Sequence, residues 1–442
     1  MSKNNPFPID KDVIKQLRSE LNISSLATCT IRQIVQLVNR LQEMYGIKFI
    51  RTEMGVPGLN APEAAKQAEI QAIQNGVVSI YPPIEGIQPL KQELSRFAKL
   101  FMDISIDPES CIPTVGSMQS SFVTFMVANR REKEKDTTLF IDPGFPVHKR
   151  QIAVQGMKYE QFDIYNHRGE KLREKLESYL KKGNISTFLY SNPNNPAWFC
   201  LTHNELKIIG ELADKYGVIV MEDLAYFGMD FREDYGKPGL PPFQPTVAKY
   251  TGNYVLLFSS SKIFSYAGQR IGSLLISDAL FRKRFPELRK IFNTDQFGPA
   301  ILQDAIYAST AGTSHSPQAG LAEMLRLVNN GDYNFVEILR EYEKRASVMK
   351  KLFIDNGFQL VYDKDEEKDL ADGFYFTISY PGMSGEELLE KLIRNGISAI
   401  TLDTTGSNRT EGLRICVSHT AMDRMDELKK RLESVSSEQL IG

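Results

Sequence analysis

Between residues 139 and 292 the hydrophobic pattern keeps switching between two periods. Short apolar runs at 139–141, 186–191, 217–222, 254–259 and 272–276 read as buried strands, and longer amphipathic stretches at 170–181, 203–215 and 278–292 read as helices. Strands joined one after another by helices form a mostly parallel sheet covered by helices on both faces. The expected fold class is therefore α/β. At 442 residues the chain exceeds what one compact core takes up, so a second, smaller α+β domain is expected. The large domain is expected over 60–329, and 1–59 with 330–442 is expected to form the small one. The small domain has helical patterning at 11–45, 335–356, 385–395 and from 422 to about 433, and strand-like runs at 373–379, 397–402 and 413–417. Further helices are expected at 62–75, 88–101 and 118–130.

Charge and composition remove several classes of function. The formal net charge is −2, with charged residues at 24%, which gives no electrostatic case for nucleic acid or a membrane surface. Residues 1–53 are too short and too weakly basic to read as a DNA-binding domain. No apolar run is long enough to cross a bilayer, and Met1-Ser2-Lys3-Asn4-Asn5-Pro6 lacks the apolar stretch of a signal peptide. Cys29, Cys111, Cys200 and Cys416 stand far apart, without a CxxC pair, as thiols of a reducing compartment do. A cytoplasmic location is expected. The five histidines show no metal-ligand spacing, so no metal is expected.

In an open parallel sheet, ligands bind at the carboxyl ends of the strands. Here those ends are polar. The strand at 186–191 runs into Asn192-Pro193-Asn194-Asn195-Pro196, and that at 217–222 into Asp223-Leu224-Ala225-Tyr226. The strand at 254–259 runs into Ser259-Ser260-Ser261-Lys262, with Arg270 following between Gly268 and Gly272. A lysine condenses with an aldehyde to a Schiff base, while arginine and serines hold a phosphate. Pyridoxal 5′-phosphate carries both groups. A carboxylate at its pyridine nitrogen keeps the ring charged, and Asp223 suits that position; Tyr226 and Asn195 suit hydrogen bonds to the ring oxygen.

Taken in order, Asn-Pro-Asn-Asn-Pro, Asp-x-x-Tyr, Ser-x-Ser-Lys and Gly-x-Arg-x-Gly resemble the fold-type I pyridoxal-phosphate enzymes, in the class I and II aminotransferase group that includes aspartate aminotransferase. The resemblance runs from about Met54 to Val417. It implies that Lys262 is the Schiff-base lysine, that Asp223 faces the ring nitrogen, and that Asn195 and Tyr226 bind the ring oxygen. It gives Ser259, Ser261, Arg270, Ser117 and Met118 to the phosphate, the last two through the start of a helix. Phe145 is implied to stack on the ring, with packing beside its two prolines as the alternative. His148 stands where some members place a histidine touching the aspartate. Tyr81 is implied to reach the phosphate of a neighbouring subunit, and hence a homodimer with shared sites. Gly55 and Arg414 are implied at the substrate carboxylate, Arg414 gripping it with a planar fork; the other reading makes Arg414 half of a salt bridge.

The implied activity is transfer of an amino group between an L-amino acid and a 2-oxo acid. Another reaction on the same scaffold, carbon–sulfur β-elimination or a ring-closing synthesis, is the alternative. One departure stands out. The group usually continues Asn-Pro with Thr or Ser and then Gly, but here Pro196 is followed by Ala197-Trp198. Glycine frees the backbone there and tryptophan does not. Trp198 is expected either to narrow a cleft or, by preference, to pack on the small domain.

Overall fold

The computed structural model describes residues 7–437, and the outermost ends of the expected small domain, 1–6 and 438–442, lie outside them. The chain divides into two compact units, one comprising Leu59–Asn194 and Cys200–Leu339, the other Met1–Gly58, Asn195–Phe199 and Arg340–Gly442.

The larger unit is built on a seven-stranded sheet in the order Cys111–Thr114, Gly272–Ile276, Tyr254–Ser259, Ile219–Asp223, Ile185–Ser191, Thr137–Asp142 and Lys158–Asp163. Every pairing is parallel except the two made by Gly272–Ile276. This is the mostly parallel α/β sheet expected from the alternating pattern. The central strands are buried at every residue, which is why they read as apolar runs rather than as alternations. Val255, Leu257, Met221, Leu189 and Phe140 join Val123 and Val127 of the helix Gly116–Ala128 in one apolar core.

Several elements differ from expectation. The helix expected over 278–292 stops after Asp278–Arg282 and resumes as a 3₁₀ turn, Pro286–Lys290, because a proline disfavours helical backbone in the residue before it. The pattern at 11–45 is two helices, Lys11–Glu20 and Ile31–Tyr45; the second begins with a capping box between Thr30 and Gln33. The edge strand Lys158–Asp163 and the helices Pro146–Val154 and His315–Asn330 add to the elements foreseen.

The smaller unit holds a four-stranded antiparallel sheet, ordered Ile400–Thr401, Leu413–Cys416, Tyr375–Ser379 and Gln359–Leu360. The helix Phe335–Asp355 begins in the larger unit and enters the smaller at residue 340. Its first residue explains that division: the Phe335 ring lies 5.8–6.3 Å from those of Phe97, Phe101, Phe227 and Phe264. Among the described residues no helix is long and apolar enough to cross a membrane.

Candidate active site

In the larger unit the strand Tyr254–Ser259 ends at Ser259, whose side chain caps a one-turn helix by accepting from the N–H of Ser261 at 3.3 Å. Ser260 closes the turn from behind, donating to the Ile271 carbonyl at 2.7 Å. Lys262 is carried on this turn, half-buried, while Ser259 and Ser261 are buried. The neighbouring strand ends in Asp223, whose Oδ1 accepts from the N–H of Ala225 at 3.0 Å. Burial pushes the Asp223 carboxyl up to about 6, against the pull of that N–H and of the Lys262 charge. Asp223 pairs with Leu257 on the adjacent strand, and Lys262 stands on the turn that follows that strand's end.

His148 Nε2 lies 3.9 Å from Asp223 Oδ2. Burial lowers this imidazole to about 4, with the Lys149 charge adding to the effect, so at neutral pH it brings no positive charge to the acid. The Phe145 ring stands perpendicular to His148 at 5.5 Å. Phe145, His148, Tyr190, Ser191 and Asp223 together line one small cavity. Tyr226 is buried directly after the same strand end.

The positions expected at the phosphate also converge. The helix Gly116–Ala128 starts without a side-chain cap, which leaves its first N–H groups to an anion. Ser117 and Met118 occupy that first turn. A Cβ on Gly116 would stand 2.7 Å from Arg270 Nη2, and one on Gly272 would stand 2.8 Å from the Ser117 nitrogen. Two glycines thus hold open a cradle between an arginine and a helix start. A buried acid, a nearby lysine and an anion cradle are the donor set that pyridoxal phosphate needs, and the residues fit that group.

The positions expected at the substrate carboxylate lie in the smaller unit. Arg414 sits in the strand Leu413–Cys416 and is 1% exposed. Its Nη1 donates to Asn195 Oδ1 at 3.3 Å and its Nη2 to the Glu53 carbonyl, while Nε has no hydrogen-bond partner among the described residues. No carboxylate pairs with it there, so the salt-bridge reading of Arg414 falls. A buried guanidinium without a counter-ion calls for an anionic ligand. Gly55 lies against the Tyr375 hydroxyl, which a Cβ at position 55 would strike. Tyr81, in the larger unit, is 91% exposed.

Trp198 takes a left-handed backbone, φ +67°, the conformation that a glycine adopts freely. Its indole is 1% exposed and packs within the smaller unit, against Gly373 and edge-on to Tyr375 at 6.0 Å. Sequence reasoning missed Tyr375, whose ring lies 4.6 Å from the Arg414 guanidinium. Strand pairing carried the signal: Thr377 opposes Arg414, so Tyr375 is its diagonal neighbour on the same face.

A sequence model of the family described as aminotransferase class I and II matches residues 49–432. The chain is 24% identical to a probable aspartate aminotransferase of Methanocaldococcus jannaschii, over 83% of this chain and 88% of the relative. It is 24% identical to aromatic-amino-acid aminotransferase 2 of Thermococcus litoralis, over 92% and 96%. The crystal structure of an aspartate aminotransferase from Thermotoga maritima superimposes with a TM-score of 0.74 at 17% identity, over 93% of this chain and 97% of that one.

Proposed function

Given that the chain belongs to the class I and II aminotransferase family and is a transaminase, moving amino groups between amino acids and 2-oxo acids, we propose that it works with pyridoxal 5′-phosphate bound to Lys262. The observation that carries this reading is Asp223, an acid that burial lifts to about 6 while the Lys262 charge offsets only part of the effect, leaving room for a further positive charge. A protonated ring nitrogen supplies that charge, and Asp223 in turn keeps the nitrogen protonated.

When bound, the cofactor supplies an electron sink for a bond at the substrate α-carbon. The chain supplies the rest. The Lys262 amine takes and returns the proton at that carbon. Asn195 and Tyr226 hydrogen-bond the ring oxygen, and Phe145 stacks on the ring. Ser117, Met118, Ser259, Ser261 and Arg270 hold the phosphate. Arg414 grips the α-carboxylate with two parallel N–H groups, beside the backbone at Gly55. Tyr81, almost wholly exposed on the protomer, serves the phosphate in a second copy, so the working form is a homodimer. The four free cysteines support a cytoplasmic location.

Lys262→Ala is expected to remove the visible absorption band of the purified protein. An unchanged spectrum takes Lys262 out of this role. A panel of amino acids, each tested with 2-oxoglutarate and with pyruvate, then names the substrates. One equivalent of oxo acid per subunit without ammonia marks transamination, whereas ammonia release without a second substrate marks elimination.

A further inference from the structure

Arg414 must do more than be present. A guanidinium binds a carboxylate with two hydrogen bonds only when its plane faces the ligand. Within the smaller unit, two in-plane contacts restrain it, to Asn195 Oδ1 and to the Glu53 carbonyl. Neither stops the group from tilting about the axis they define. The Tyr375 ring does, lying under the guanidinium at 4.6 Å.

The ring is itself held on several sides. Tyr375 is 2% exposed, and Gly55 leaves room for its hydroxyl where any side chain would collide. Trp198 meets it edge-on at 6.0 Å and 71°. Trp198 fits there because residue 373 is glycine, since a Cβ at that position would run into the indole. The left-handed backbone at Trp198, φ +67°, costs strain that a glycine would avoid. The chain accepts that strain and in exchange gains a wall behind Tyr375.

We propose that Tyr375, braced by Trp198, is a positioning residue that sets the plane of Arg414 for the substrate carboxylate. This rests on reading Arg414 as the carboxylate grip, and the experiment separates the two claims.

Steady-state kinetics are measured on the holoenzyme. Tyr375→Phe keeps the π face and should hold KM within about twofold of wild type. Tyr375→Leu should raise KM for amino acid and oxo acid alike by about 5- to 30-fold, the range of a partly buried cation–π contact, with kcat changed less than KM. Tyr375→Met fills similar space without a π face and should behave as Leu does, which guards against a variant that fails to fold.

A second readout does not depend on turnover. Trp198 is the only tryptophan in the chain, so its emission reports on this wall. Titration with butyrate, a carboxylate that cannot react, should change the emission saturably. The midpoint should shift by a similar factor in Tyr375→Leu and vanish in Arg414→Ala. If Arg414→Ala leaves KM and the midpoint unchanged, the carboxylate reading of Arg414 fails. If Arg414→Ala loses its grip while Tyr375→Leu and Tyr375→Met match wild type, only the positioning role is overturned. A loss in Tyr375→Phe as large as in Tyr375→Leu would assign the effect to the hydroxyl and sink the π-face argument.

Discussion

Asp223 titrates in a direction that separates its structural cost from its function. Burial lifts its carboxyl from 3.8 to about 6, so the folded chain holds this proton more tightly than the unfolded chain does. The stability this contributes is fully present below pH 3.8 and is lost as pH rises through about 6, where the acid ionises in a buried site. His148 beside it, lowered by burial to about 4, is neutral by the time Asp223 ionises near 6, and Lys262 offsets only part of the charge. Asp223→Asn keeps the acceptor for Ala225 and removes the charge. In the cofactor-free state the variant should be the more stable protein above pH 6, by on the order of 1–3 kcal/mol, and should gain nothing below pH 4. With cofactor the order should reverse, because asparagine cannot pair with a charged ring nitrogen; binding should weaken and nearly all turnover should go. Urea unfolding of both cofactor-free proteins across pH 3.5–8 checks the first part. A cofactor-free Asn variant that is less stable at pH 7.5 would contradict the account of Asp223 as a buried acid awaiting a cation.

At the level of strands and turns, the cradle proposed for the phosphate depends on backbones meeting where no side chain fits. A Cβ on Gly272 would stand 2.7 Å from the Phe258 oxygen, 2.8 Å from the Ser117 nitrogen and 2.9 Å from the Gly116 carbonyl carbon. All three are backbone atoms, so nothing flexible can give way. Gly272→Ala should cost about 1–3 kcal/mol of stability and weaken cofactor affinity by about tenfold or more, by pushing the helix start away from the phosphate. Gly268→Ala is the control, since its Cβ would meet nothing within 4 Å. Spectral titration with the cofactor and thermal unfolding read both, and equal behaviour of the two variants would refute the cradle.

The same scale shows what the sequence revealed. The polar clusters after three strands were legible because the buried strands are apolar to their last turn, which makes Asp223 and the Ser-Ser-Ser-Lys run conspicuous. The strand Lys158–Asp163 was not, because on the sheet edge only Phe162 and Asp163 are buried and no apolar run forms. Tyr375 and the wall at Trp198 were hidden for a different reason. Their roles depend on register between strands far apart in sequence, which local pattern does not encode.

For the whole molecule the remaining question is how many copies make a site. The larger unit exposes apolar side chains close together in sequence: Ile70, Ile73, Val78, Ile80 and, at 91%, Tyr81. The helix Glu63–Gln74 fully buries only Ala65, and its two isoleucines, Ile70 and Ile73, are exposed. Such a stretch argues for a covered surface. If Tyr81 completes the phosphate site of a second copy, two different inactive variants should repair each other. Tyr81→Ala retains Lys262, and Lys262→Ala retains Tyr81. In a twofold dimer of one of each, one site takes both native residues and the other takes neither. Random reassortment of an equal mixture makes half the dimers mixed, each with one intact site, so activity should recover to about a quarter of wild type. The subunits are dissociated in mild denaturant, mixed and returned to buffer, with each parent treated alone as the baseline. Recovery above the sum of the parents fits a shared site. Activity that stays at that sum, from a mixture shown to contain mixed dimers, would return Tyr81 to its own protomer and leave each copy to complete its site unaided.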